Sequence, residues 1–509
     1  MRRNSDSIHS GFIEVPAFVI ELGVTAKAEG VNAMNHLLFC SCLLVILTPS
    51  PLDRGWSQSI IAAADPASKT QSLPRAAIKL PIRLYWDYLV IVEGSIGNFQ
   101  KLDFLVDTVS YPSVVDQKIA RNLGLAEQPG RVNLPNTSVQ TRVVVLPSLF
   151  LGPVHAEALP VLTKDLSFLQ KAVGHKVDAI VGLDVLRQES FSINYRTSEM
   201  LFGPVESLTY STPFETDTPV VTIRTEFQNR QLRLMVDTGG PDLMLFQSRL
   251  PSSTSFQELG TEKAANLSGS FRRRKLRIPE VYLGEEAIGP QTAFVVDDYK
   301  GEGDNFDGVL GMRGPQFSKI AFDFERRRFS WELPSLAPAI TVAIYDDMHL
   351  SPQVLADAED EAMRVYRKAG VAISWVECKS ARMKAEPDVR CQDSPSPTRL
   401  NLRIVPHASK ASDGVFGVAF LSAEGTGAYT DVSYNSAEEL DQEWHVGLAR
   451  LLGHVMAHEL GHLLLGSNAH SRQGIMCPRW HGDELHLASK GSLLFSEEQA
   501  RFMRERLAH

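Results

Sequence analysis

The segment Phe104-Leu105-Val106-Asp107-Thr108-Val109-Ser110 recurs as Leu234-Met235-Val236-Asp237-Thr238-Gly239-Gly240, and the two aspartates stand 130 positions apart. Two further blocks keep nearly the same offset. Asp178-Ala179-Ile180-Val181-Gly182-Leu183 answers Asp307-Gly308-Val309-Leu310-Gly311-Met312, and Ser192-Ile193-Asn194-Tyr195 answers Ala321-Phe322-Asp323-Phe324, both 129 positions on. Three separate blocks in one register make a two-fold internal repeat, with copies over 78–208 and 209–336. Each copy reads as short strands, such as Leu84–Val92 and Val220–Ile223, punctuated by Pro129-Gly130, Gly152-Pro153 and Pro251-Ser252. An apolar run that ends in Asp-Thr places a carboxylate at a turn just after a buried strand.

Composition sets the frame. The chain has 509 residues, enough for two to four domains. Its 44% hydrophobic and 22% charged content is that of a chain with ordinary cores, which excludes a mainly disordered or fibrous protein. The net charge of −9 and the lack of a long basic stretch give no reason to expect a nucleic-acid partner. Five cysteines exclude a disulfide-dense scaffold.

Two carboxylates brought to within about 3 Å share one proton, because both cannot ionise together. The ionised one takes a proton from water, and the neutral one donates to the carbonyl under attack. On its Asp-Thr turn, followed by Gly in the second copy, and on the apolar-apolar-Gly block about 75 positions later, each copy resembles a lobe of a retropepsin-like aspartic protease. The resemblance spans 78–336 and implies a mostly-β bilobal region in which Asp107 and Asp237 form the catalytic pair. The first copy departs from the pattern, with Val109 where the family has a small residue. That side chain is expected to crowd the water site and to resist a left-handed turn.

From Ile340 onward the pattern turns to mixed strand and helix. Ile340–Tyr345, Val371–Val376, Leu400–Val405, Val415–Leu421 and Ala428–Tyr434 read as strands. Pro352–Ala369 reads as a helix with Val354, Leu355, Ala358, Ala362 and Val365 on one face. Cys378 and Cys391 bracket a polar insertion, and would be bridged in an oxidising compartment and free in a reducing one. A long apolar helix over Trp444–Leu465 carries His458-Glu459-Leu460-Gly461-His462. Histidines four apart lie about 40° apart on one face, so both imidazoles reach one ion. Zn²⁺ takes neutral histidine nitrogen and, in catalytic sites, keeps one position for water. Glu459 is then the base for that water. The helix ends at Gly466, and His470 returns as a third ligand before the turn Gly474-Ile475-Met476.

These residues together resemble the metzincin clan of zinc proteases. The resemblance implies an α+β domain over 337–509, with His458, His462 and His470 on zinc, Glu459 as base and Met476 on the turn beneath the metal. Gly466 stands four positions after His462 where the clan has three, and His470 eight where it has six. His445, His454, His481 and His486 are competing histidines; His481 and His486 read as solvated groups in a charged loop. Cys477 is a candidate for the fourth metal position or an ordinary buried thiol. The final helix is expected over Ser496–Leu507.

Residues 1–77 form an N-terminal segment. Leu37–Leu47 is an apolar run of eleven, too short for the roughly 20 residues that span a bilayer and suited to a signal peptide over about 34–64. The chain is therefore expected to be exported, periplasmic or extracellular, or tethered by an uncleaved N-terminus, with no membrane span once mature. Its expected partner is a peptide or protein substrate. Three readings stand: a zinc endopeptidase with a bilobal region that is a second active site or a peptide-holding module; an aspartic endopeptidase with an inactive C-terminal domain; and a peptide-binding protein without catalysis.

Overall fold

The computed structural model describes residues 77–508 apart from 135–136, 216–218, 228–229, 251–255, 267–268, 297–305, 335–337, 379–390, 392–395, 397, 409–415, 423–424 and 467–468. The expected signal peptide and linker lie outside the described residues, as does the insertion between the two cysteines. The described chain divides between Leu333 and Pro334 into two units. No helix among the described residues is long and apolar enough to cross a membrane.

The first unit contains both repeat copies, and it is mostly β, as expected. In copy one, strand Phe99–Val106 runs parallel to Ala179–Val181, with Phe104 opposite Ala179. In copy two, Arg230–Asp237 runs parallel to Gly308–Gly311, with Leu234 opposite Gly308. The same polar tie closes both. Asp103 N–H donates to Asp178 Oδ2 at 3.0 Å, and Arg233 N–H donates to Asp307 Oδ2 at 2.8 Å. One further pair swaps partners between copies. Ser113 bonds Asp184 through Oγ at 2.7 Å, whereas in copy two the carboxylate belongs to Asp242 and pairs with Arg313.

The copies join through an antiparallel sheet built from both. Strands Ile78–Pro81, Glu199–Phe202 and Phe191–Asn194 of copy one continue into Lys319–Asp323, Arg328–Glu332 and Tyr210–Pro213 of copy two. At the join Ser192 faces Ala321, its own repeat equivalent. The neighbouring pairs Ile193–Ile320 and Phe191–Phe322 exchange under the 129-residue offset, so a local two-fold axis passes through Ser192–Ala321. Phe191, Phe202, Phe322, Phe329 and Trp331 pack beside this sheet with ring centroids 4.8–5.8 Å apart. Buried aromatics bring large apolar area to the join, which holds the two lobes as one core.

The second unit is a five-stranded sheet with helices. Ala372–Cys378, Ala339–Asp346, Arg399–Val405 and Tyr429–Ser433 are parallel neighbours, and Gly417–Phe420 closes one edge antiparallel to Tyr429–Ser433. Helix Pro352–Lys368 starts as expected, with Ser351 capping Val354 N–H and Pro352 in the first turn. Leu355, Ala358, Ala362 and Val365 are buried, while Val354 is half-buried at the helix start.

Several elements differ from the sequence reading. The expected helix over Trp444–Leu465 begins only at Leu448 and runs to Leu465, and Trp444 is the last residue of a separate helix, Tyr434–Trp444, over which no helix was expected. His445 at φ 52° and Gly447 at φ 102° reverse the chain between them, and the Asp441 carboxylate accepts Gly447 N–H at 2.6 Å. The strand at Tyr429 ends at Ser433, whose hydroxyl caps the following helix. His486, though exposed, lies in a helix at Gly482–Ser489 and not in a loop, and His481, also exposed, is the N-cap of that helix. Leu485 and Ala488 bury one face of it, too short an apolar signal to read in sequence. The last helix is Glu497–Leu507, with Ser496 and Gln499 forming a reciprocal cap.

Candidate active sites

The first site lies where the two Asp-Thr turns meet in the bilobal unit. Each aspartate leaves the end of a buried strand, and the backbone after it folds back onto the carboxylate. Val109 N–H and Ser110 N–H donate to Asp107 Oδ1 at 2.9 and 3.0 Å, and Gly239 N–H donates to Asp237 Oδ1 at 2.9 Å. The threonines lock the turns together. Thr108 Oγ1 donates to Val236 O at 2.6 Å and Thr238 Oγ1 to Val106 O at 3.0 Å. Each hydroxyl also accepts the other threonine's N–H at 3.1 Å. The hydroxyl and N–H of both threonines are thereby satisfied, and both turns are fixed to the same axis.

Asp107 and Asp237 come together as expected. Gly239 presses against the Asp107 carboxyl, where an added Cβ would meet Asp107 Cγ at 2.8 Å. Val109 occupies the equivalent place in copy one and is fully buried. The expectation of a strained backbone at Val109 is not met. Neither Val109 nor Gly239 has a positive φ, so a β-branched residue takes the turn without penalty. Burial, however, is nearly complete, with Asp107 1% and Asp237 0% exposed. Loss of water pushes the Asp107 carboxyl up to about 7, against the pull of its two backbone donors. Burial and then the neighbouring Asp107 charge hold Asp237 well above the carboxylate range. The pair can share a proton at neutral pH.

The second site lies on helix Leu448–Leu465. His458 Nε2 and His462 Nε2 approach to 3.1 Å, and one nitrogen each of His458, His462 and His470 fall within 4.8 Å of one another. His458 Nδ1 donates to the Ile475 carbonyl at 2.6 Å, which leaves the Nε2 lone pair aimed at the cluster. Burial lowers His458 to about 4 and His462 to about 3, and lowers His470 as well, so all three are neutral near pH 7. Neutral imidazoles crowded nitrogen to nitrogen are the donor set of a divalent cation, whose nitrogen ligands sit at about 2.0–2.1 Å. The chain's residues fit such an ion.

Glu459 is 4% exposed, and burial pushes its carboxyl up to about 8. Its side chain lies against Gly417 on the edge strand, where an added Cβ would meet Glu459 Cγ at 2.5 Å and Cδ at 2.6 Å. Met476 is fully buried beneath the helix, and an added Cβ at Gly461 would meet its Sδ at 2.8 Å.

The competing histidines stand apart from the cluster. His454 is fully buried on the far side, its Nε2 3.3 Å from Glu361 and its Nδ1 2.9 Å from Arg450 O. Burial would raise Glu361, but Arg364, His454 and Arg450 together hold it far below the usual range. His445 caps the preceding helix. Cys477 is half-buried and its thiol points to Arg479 O at 3.1 Å. Gly417 and Glu361 were not legible in sequence, because each meets its partner only through the tertiary fold.

Comparison with known proteins reaches only the first site. Residues 92–185 match the model of a family described as aspartyl protease. The matched stretch contains the Asp107 turn and the Gly182 block, so this part of the chain is similar to a family of peptide-bond hydrolases. No curated protein matches the chain.

Proposed function

We propose that the chain is an exported peptidase whose second unit hydrolyses peptide bonds with zinc. The observation that carries this reading is the convergence of three neutral histidine nitrogens within 4.8 Å beside a buried glutamate. His458, His462 and His470 would hold the ion, which when bound supplies Lewis acidity and lowers the pKa of a water. Ionised by the positive charge such an ion would place beside it, Glu459 would take the proton of the attacking water and pass it to the nitrogen of the leaving amine. Gly417 leaves that carboxylate room, and the adjoining edge strand excludes bulk water from it. Met476 supports the helix between the two ligands it carries. The Cys378–Cys391 bridge supports an oxidising compartment.

A second reading concerns the bilobal unit. The interlocked threonines and the raised Asp107 and Asp237 carboxyls, together with the family match, support aspartic chemistry there. The burial of both carboxylates and of Val109 argues for a peptide-holding role instead, since a nucleophilic water must reach the pair.

The test is zinc content and peptidase activity of the wild type, Glu459→Gln and Asp237→Asn, with and without chelator. The zinc reading expects stoichiometric zinc, loss of activity in Glu459→Gln with the metal retained, and loss in chelator. Activity that survives chelator and disappears in Asp237→Asn would transfer the chemistry to the bilobal unit.

A further inference from the structure

We propose that Trp480 is a positioning residue for His458, acting through the carbonyl of Ile475; the inference rests on the zinc reading above. Ile475 O accepts two hydrogen bonds, one from His458 Nδ1 at 2.6 Å and one from Trp480 Nε1 at 3.2 Å. A carbonyl has two lone pairs, and both are in use. The indole N–H is a donor only and sits on a rigid ring, so its bond sets the direction of the carbonyl. The carbonyl in turn fixes the tautomer and the ring plane of His458, and with them the aim of Nε2.

The surroundings hold the indole in this place. Trp480 is 5% exposed. Its ring stands edge-on to His458 at 5.9 Å and 79°, and packs on Phe416 at 5.1 Å. The Ile475 peptide is tied from the other side as well, with Ile475 N–H on Leu494 O at 3.0 Å. Gly474 at φ 82° makes the turn that presents the carbonyl to both donors. His462 and His470 have no such backbone anchor among the hydrogen bonds of the described residues, so His458 is the ligand whose aim the protein fixes. A buried indole N–H needs an acceptor, and the one Trp480 takes is the same carbonyl that anchors a ligand histidine, which couples the ring's position to that of His458.

The test separates the N–H from the ring. In the full-length protein, Trp480→Phe keeps an aromatic core and removes the donor. A benzothienylalanine placed at position 480 keeps the bicyclic shape and removes only the N–H. Zinc affinity is read by competition with a chromophoric chelator, and ligand geometry by the visible spectrum of the Co²⁺-substituted protein. Loss of a supporting partner behind a metal ligand costs about 10–100-fold in affinity. Both variants are expected to bind zinc at least about tenfold more weakly and to shift the cobalt bands, with the fold retained by circular dichroism. Wild-type affinity and an unshifted spectrum in the benzothienyl variant would overturn the proposal, even if Trp480→Phe misfolds. A wild type that binds no zinc would instead overturn the zinc reading itself.

Discussion

Glu459 has its place because Gly417 has no side chain. The edge strand passes so close to the carboxylate that a methyl group at Gly417 would collide with Glu459 Cγ and with the Asp431 carbonyl, each at 2.5 Å. Gly417 has no positive φ, so space rather than backbone freedom requires glycine there. Gly417→Ala is therefore expected to turn Glu459 aside while leaving the three histidines in place. A general base contributes about 10²–10⁴-fold to rate, so kcat should fall at least about 100-fold with zinc content unchanged. Steady-state kinetics alongside metal analysis checks this; equal kcat in the alanine variant would show that Glu459 is not the base. At this scale His458, Glu459 and His462 were legible, because helical periodicity alone puts them together. Gly417 and Trp480 were not, since a strand edge and a backbone carbonyl leave no local sign of what they will face.

Between elements, the decisive contact in the bilobal unit is the exchange of threonine hydroxyls. Thr108 and Thr238, both fully buried, each satisfy a carbonyl and an N–H of the opposite copy. Thr238→Ala leaves Thr108 N–H and Val106 O without their partner. An unmet buried polar group costs about 1–3 kcal/mol, so denaturant unfolding of this unit should show a loss of at least that size. Thr238→Ser, which keeps the hydroxyl, should recover most of it. The repeat that brings these residues together was readable from three blocks in one register. Their reciprocal bonding was not, because it depends on the Ser192–Ala321 pairing that sets the axis. The late start of the helix that carries the histidine cluster has a similar origin. His445 and Gly447 turn left-handed there, and only Asp441, reaching forward to cap Gly447, makes the break favourable. In the second unit, the Cys378–Cys391 bridge spans a sequence separation of 13. Chain-entropy arguments assign a loop of that size about 3 kcal/mol, so reduction should lower the melting temperature of this unit and leave the bilobal transition where it was.

The whole molecule combines two sites whose buried acids respond to pH in the same sense. Asp107 keeps its proton in the folded unit up to about pH 7, whereas unfolded it would lose it near 3.8. Between these values the folded state binds more protons than the unfolded one. Stability of the bilobal unit should therefore fall as pH rises from about 4 to about 7, and Asp237, also raised, extends the fall upward. Asp107→Asn removes its share of the slope; a flat pH profile in the wild type would show that the carboxyls are hydrated rather than buried. The mostly-β character of the first unit was legible from its strand pattern, and the change of pattern near Ile340 marks the division seen between Leu333 and Pro334. The state of the dyad was not, because it depends on how much water the assembled lobes admit.

The central claim is that peptide hydrolysis belongs to the histidine cluster of the second unit. The most direct measurement is the peptidase activity of metal-analysed Glu459→Gln protein. Full zinc occupancy of His458, His462 and His470 is expected, with activity reduced by at least about 100-fold. Full zinc with undiminished activity would contradict it.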